Sequence, residues 1–170
     1  MIDILIEAPL PPRGKGRPRI GIVAGHAHAF TPSETRRWEA LLASLAQAQL
    51  PTQVIEGPVR VDILALAGRP KSLCQRWKRP RPGGYGDGTY SQPLGLLWRP
   101  GKPDGDNVRK AVLDALKSFW RDDAQVVSGE TLSGYAEVDG RARVVVRIRS
   151  EERECEAHAR WLGLLQEVVG

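Results

Sequence analysis

Val108, Ala111, Val112, Ala115, Leu116 and Phe119 recur at i, i+3, i+4, i+7, i+8 and i+11. That spacing gathers apolar side chains into one continuous stripe of an α-helix. Lys110, Asp114 and Lys117 fall on the opposite side. A helix over roughly 107–119 with one apolar face needs a second layer to bury it, and this requirement constrains the fold more than any other feature of the chain.

Period-two segments supply that layer. Ile2, Ile4 and Ile6 alternate with Asp3 and Glu7, which predicts a half-buried strand ended by Pro9, Pro11 and Pro12. Residues 57–68 alternate Val59, Val61 and Ile63 with Arg60 and Asp62, a second strand. Two more are expected near the end of the domain, from about Gln125 to Val138 and over 141–149. Asp139-Gly140 is expected to form the two-residue hairpin turn between them. Val144, Val146 and Ile148 then face inward, and Arg143, Arg147 and Arg149 outward. Near the start, Arg13 to Arg19 read as a basic loop leading into a short hairpin centred on Ala24-Gly25. Thr31, Pro32 and Glu34 read as a capping box opening a helix striped by Trp38, Leu41, Leu42 and Leu45. Residues 151–170 are acidic first and apolar at Trp161, Leu162, Leu165, Val168 and Val169, which suggests a terminal helical extension. The expected fold is α+β: a single domain over 1–150, with a small mixed β-sheet packed against helices.

The chain has 170 residues, enough for one self-sufficient core. Its 25 Lys and Arg against 20 Asp and Glu leave a net charge of +5, a tilt toward polyanionic partners. Cys74 and Cys155 lack metal-site spacing, and three histidines do not make up a zinc set. No apolar run is long enough to span a membrane and the N-terminus does not read as a signal peptide, so a cytoplasmic protein is expected.

Around the striped helix lie four aspartates, Asp104 and Asp106 before it and Asp122 and Asp123 after it. One N-cap needs one side chain, so a cap and a surface turn leave acids unexplained. A helix of a dozen residues is about 18 Å long, and its ends do not meet by themselves. If the strand after Asp123 pairs beside an extended segment carrying Asp104 and Asp106, the carboxylates converge. Crowded carboxylates call for a cation, and an all-oxygen set selects Mg²⁺ or Mn²⁺ over zinc. Such a site serves phosphoryl chemistry, where Lys110, one turn in, would put a positive charge near the phosphate, or else pair with Asp114. Spacing alone leaves a metal site and a cap-and-turn reading both open.

"KPDGDNVRKAVLDAL" followed by "FWRDDAQVV" resembles the signature of the RusA-type Holliday-junction resolvases: D-x-D-N-x-x-K, a helix ending D-A-L, then D-D-x-Q-[IV]. Asp104, Asp106, Asn107, Lys110, Asp114, Ala115, Leu116, Asp122, Asp123, Gln125 and Val126 carry the match. The resemblance implies a RusA-like fold and a homodimer that binds four-way DNA junctions and nicks two symmetry-related strands with Mg²⁺ or Mn²⁺, in DNA recombination and repair. It assigns metal binding to Asp104, Asp106 and Asp123, an accessory role to Asp122 and assistance at the scissile phosphate to Lys110. Gly105 departs from the apolar residue usual between the aspartates, and "KSFWRDD" is shorter than its counterparts. The same chemistry on other branched or duplex DNA, or a non-catalytic DNA-binding module, are the alternatives.

The segment 69–102 reads as a basic loop insert. It holds eight basic residues against Asp87 alone, more than the whole excess of the chain, with Trp77, Tyr85, Tyr90 and Trp98 interleaved. Cations neutralise phosphates and aromatics stack on unpaired bases, so Lys71, Arg76, Lys78 and Arg79 are candidate DNA contacts. Lys15, Arg17 and Arg19, together with Asn107, are the others. His26 and His28 have no third ligand in view and read as hairpin surface.

Overall fold

The structure is a computed structural model that describes residues 2–49, 54–70, 73, 97–137 and 140–151. Its strands are β1 (Asp3–Ala8), β2 (Arg19–Val23), β3 (His26–Phe30), β4 (Val59–Ala67), β5 (Leu97–Trp98), β6 (Val126–Ser128), β7 (Thr131–Tyr135) and β8 (Arg143–Ser150). The helices are α1 (Ser33–Gln47) and α2 (Gly105–Leu116), and 3-10 turns span Lys117–Phe119 and Asp123–Gln125. The main sheet runs β1-β8-β4-β7-β5, with β6 also on β4, while β2 and β3 form a separate ribbon. β4 is antiparallel to β8 and parallel to β6 and β7. The expectation of a single-domain α+β fold with a mixed sheet holds.

The alternating strands put one face of this sheet under the helices. Val59, Val61 and Ile63 of β4, Val144, Val146 and Ile148 of β8, and Ile6 and Ala8 of β1 are buried. They share one core with Trp38, Leu42 and Ala46 of α1 and with Val108, Ala111, Val112, Ala115 and Leu116 of α2. The stripe read from the sequence is therefore the face α2 lays on the sheet, and the parallel β4 and β7 make α2 a crossover helix. Arg109 tethers it further, donating to the backbone oxygens of Val61 (3.0 Å) and Ser128 (3.3 Å).

Three local expectations are corrected. β7 and β8 are not a hairpin, because β4 lies between them in the sheet; residue 139 of the expected turn lies outside the described residues. The expected strand 125–138 is broken into β6 and β7 at Gly129, whose φ is +135° and whose added Cβ would fall 1.9 Å from the Val61 carbonyl oxygen. Only glycine lets the chain come that close there. α1 starts at Ser33 with Pro32 at the N-cap and no side-chain cap bond; Glu34 instead pairs with Arg13. The ribbon turn at Ala24 (φ 49°) and Gly25 (φ 82°) matches expectation. The terminal helix falls outside the described residues.

On the other sheet face, Asp62 accepts from Arg60 (2.9 Å), Arg149 (2.9 Å) and the Glu130 amide (3.0 Å). Burial by itself opposes its ionisation, but these donors outweigh that and bring the carboxyl from 3.8 to about 2. A depressed acid contributes stability that is present above its unfolded pKa and is lost as pH falls toward the folded one. Asp62→Asn is expected to lower unfolding free energy by ~2 kcal/mol at pH 7, with the gap to wild type narrowing as pH falls from 4 toward 2. Urea titrations across that range check this, and a gap independent of pH would contradict it.

Candidate active site

The acidic segment is held from three sides. Gly14 of the basic loop lies so close that a Cβ there would meet the Pro103 Cβ at 2.8 Å and the Asn107 Cβ at 3.2 Å. The next amide, Lys15, donates to the Asn107 carbonyl at 2.9 Å. From the sheet, Arg99 donates to the Pro103 carbonyl at 2.9 Å and to that of Lys102, while its own amide pairs with Ser133 on β7. Gly105 rests against Thr131, 3.7 Å from where its Cβ would be. The Lys102-Pro103 peptide is cis.

Helix α2 begins two residues earlier than the apolar stripe suggested, so Asp106 lies in its first turn and not on an extended segment with Asp104. Asp104 occupies the N-cap position in an extended conformation, yet its side chain makes no cap bond. Its Oδ1 accepts from Asn107 Nδ2 at 2.5 Å. Asp106 faces Lys110 at 3.3 Å, both well exposed. Lys110 therefore pairs with Asp106 and not with Asp114, which is taken by Lys15 (2.5 Å). Neither carboxylate is spent on capping α2.

At the other end, Asp122 is the capping residue. Its side chain accepts from the Ala124 amide at 2.7 Å, and the Gln125 side chain bonds back to the Asp122 amide at 3.0 Å. Gln125 also accepts from the Arg121 amide (2.7 Å) and donates to the carbonyls of Ile55 (3.1 Å) and Gly57 (2.8 Å). One glutamine thus ties the acidic turn to the chain entering β4. Ile55 forms a parallel bridge with Trp120, whose indole N–H donates to Asp123 Oδ1 at 3.2 Å. Asp123 is exposed. The residue of the four that local structure explains is Asp122.

The strand after Asp123 pairs with β4, not with the Asp104 segment. Among the described residues no group of three or more acids, histidines or cysteines is placed to hold a metal ion. Asp104 and Asp106 stand at the start of α2 and Asp123 beyond its end, and a helix of 12 residues is about 18 Å long.

The candidate DNA contacts divide. Lys15 is partly buried and bridges Glu39 of α1 (2.8 Å) and Asp114 of α2; burial alone lowers its pKa, but the bonds to Asp114 and Glu39 prevail and raise it. It ties the basic loop to both helices. Arg17 and Arg19 are exposed, and among the described residues no ion pair engages them. Lys71, Arg76, Lys78 and Arg79 lie outside the described residues. Sequence reasoning missed Arg99 and Gly14 as supports of the acidic segment, and counted Arg99 only as a loop cation. The signal was faint: one Arg five residues before Asp104, and one Gly in a Gly-rich loop.

A family model described as endodeoxyribonuclease RusA matches residues 9–149. An uncharacterized protein of Bacillus subtilis (strain 168), YqaN, is 32% identical over 137 residues, 80% of this chain and 89% of that protein. Both the acidic segment and the turn at its far end lie inside the matched region.

Proposed function

Because the chain belongs to the RusA endodeoxyribonuclease family, we propose that it is a divalent-metal-dependent endonuclease that resolves four-way DNA junctions by paired nicks, acting as a homodimer. The observation that carries the reading is the uncapped pair at the start of α2. Asp104 holds the N-cap position without capping, Asp106 sits one turn from Lys110, and both carboxylates are exposed beside a basic loop. A merely structural cap would have turned its oxygen onto the helix amides.

Asp104, Asp106 and Asp123 would hold Mg²⁺ or Mn²⁺, whose preference for oxygen donors fits this set. When bound, such an ion lowers the pKa of water and neutralises charge on a phosphodiester. Arg99, Gly14 and Asn107 fix where Asp104 points. Lys110 leaves Asp106 for the scissile phosphate and stabilises its added negative charge. Asp122 and Gln125 form the turn that presents Asp123.

A second copy accounts for the separation along α2. In a two-fold dimer the contact is self-complementary, so if Asp123 of one copy meets Asp104 and Asp106 of the other, the reverse meeting arises too. Two equivalent sites then face two symmetry-related strands, as paired nicking requires. Recombination and repair are the processes that supply such junctions.

A labelled junction incubated with Mg²⁺, with Mn²⁺ and with EDTA tests the chemistry. Nicking is expected with either metal, abolished by EDTA and restored by excess Mg²⁺. Nicking undiminished in EDTA would contradict the metal assignment, and none under any condition would leave a non-catalytic DNA-binding module.

A further inference from the structure

The β2–β3 ribbon stands apart from the main sheet, and every strand residue in it except Gly21 is exposed. Ile20 and Ile22 are 78% and 79% exposed. A lone two-stranded ribbon is marginally stable in water, and large aliphatic side chains held out on one mark a contact surface. Directly opposed residues share a face, and the register pairs Arg19 with Phe30, Gly21 with His28 and Val23 with His26, against Ile20 with Ala29 and Ile22 with Ala27. One face therefore carries Arg, Phe and His, and the other is wholly aliphatic. At the ribbon's root, Arg13, Arg17, Arg19, Phe30, Glu34 and Arg36 line a groove of about 630 Å³, in which the one acid, Glu34, is paired with Arg13.

Charge decides the partner. From Ala8 to Ser33 the chain has no Asp or Glu, although it holds 20 overall. A second copy laid on the aliphatic face would leave Arg17 and Arg19, which no ion pair engages among the described residues, without counter-charges, whereas phosphates complement them. Intact duplex offers phosphates but keeps its base faces stacked. A branch point exposes the faces of the flanking base pairs, and aliphatic side chains insert against such unstacked steps. Resting on the junction-nuclease reading, we propose that the ribbon is the branch-reading element: Arg17 and Arg19 engage phosphates at its root, and Ile20 and Ile22 cover base-pair faces opened at the branch.

Equilibrium binding to a four-way junction and to duplex, with Ca²⁺ in place of Mg²⁺ to keep the DNA intact, tests this in the full chain. Ile20→Ser with Ile22→Ser should weaken junction binding ~10-fold or more and leave duplex binding within about twofold. Arg17→Ala with Arg19→Ala should weaken both and lower the slope of log affinity against log salt by about 2. A junction preference unchanged in the serine variant overturns the proposal, as does equal loss on both DNAs. A serine variant that sediments at half the wild-type mass also overturns it, assigning the face to a second copy. A wild type with no junction preference would instead remove the junction reading itself. Unchanged thermal melting confirms that these exposed substitutions leave the fold intact.

Discussion

Asp104→Asn is expected to reduce junction nicking by at least ~10³-fold while junction binding stays within about threefold of wild type. The side chain keeps its size and its place beside Asn107, so the fold has no reason to change. What would be lost is a negative oxygen toward the proposed hard cation. An aspartate that served only the helix would behave oppositely. Asn is as good an N-cap as Asp, so nicking would persist. The structure excludes the capping role, because Asp104 makes no cap bond. Asp122→Asn makes the contrast: it retains an acceptor for the Ala124 amide and should lose far less activity.

The second large effect is recovery by mixing. Asp104→Asn and Asp123→Asn should each be inactive alone. If each site draws Asp104 and Asp106 from one copy and Asp123 from the other, a mixed dimer contains one doubly damaged site and one intact site. Random reassortment makes half of the dimers mixed, so nicking should return to about a quarter of the wild-type rate. The product should be single nicks, not paired ones. A site contained within one chain gives no recovery at any ratio. The two arrangements thus differ by the whole signal.

Where the sequence was informative, the reason is physical periodicity. The α2 stripe and the alternations in β4 and β8 are burial patterns, and burial is what the fold enforces. The ribbon turn was equally legible, since Ala24-Gly25 must adopt positive φ between two short strands. The supposed β7–β8 hairpin failed because a turn signal carries no information about which strand intervenes, and β4, some 80 residues earlier in the chain, takes that position. Long-range choices of this kind also hid the work of Lys15, which looked like one more cation in a basic run but bridges two helices. Its partners, Glu39 and Asp114, are remote in sequence. The same holds for Gln125, whose contacts to Ile55 and Gly57 explain why a glutamine two residues after Asp123 belongs with the acidic turn. The four aspartates were recognised as a set from their residue types and positions. The family resemblance already set Asp122 apart as accessory; what it could not show is that Asp122 caps a turn while Asp104, at an N-cap position, does not.

The most direct measurement compares end-labelled four-way junction, matched duplex and single strand, each incubated with the full chain and Mg²⁺. Nicks are expected at paired, symmetry-related positions in the junction, with duplex and single strand left intact at the same protein concentration. Cutting of duplex and junction at equal rates would contradict this.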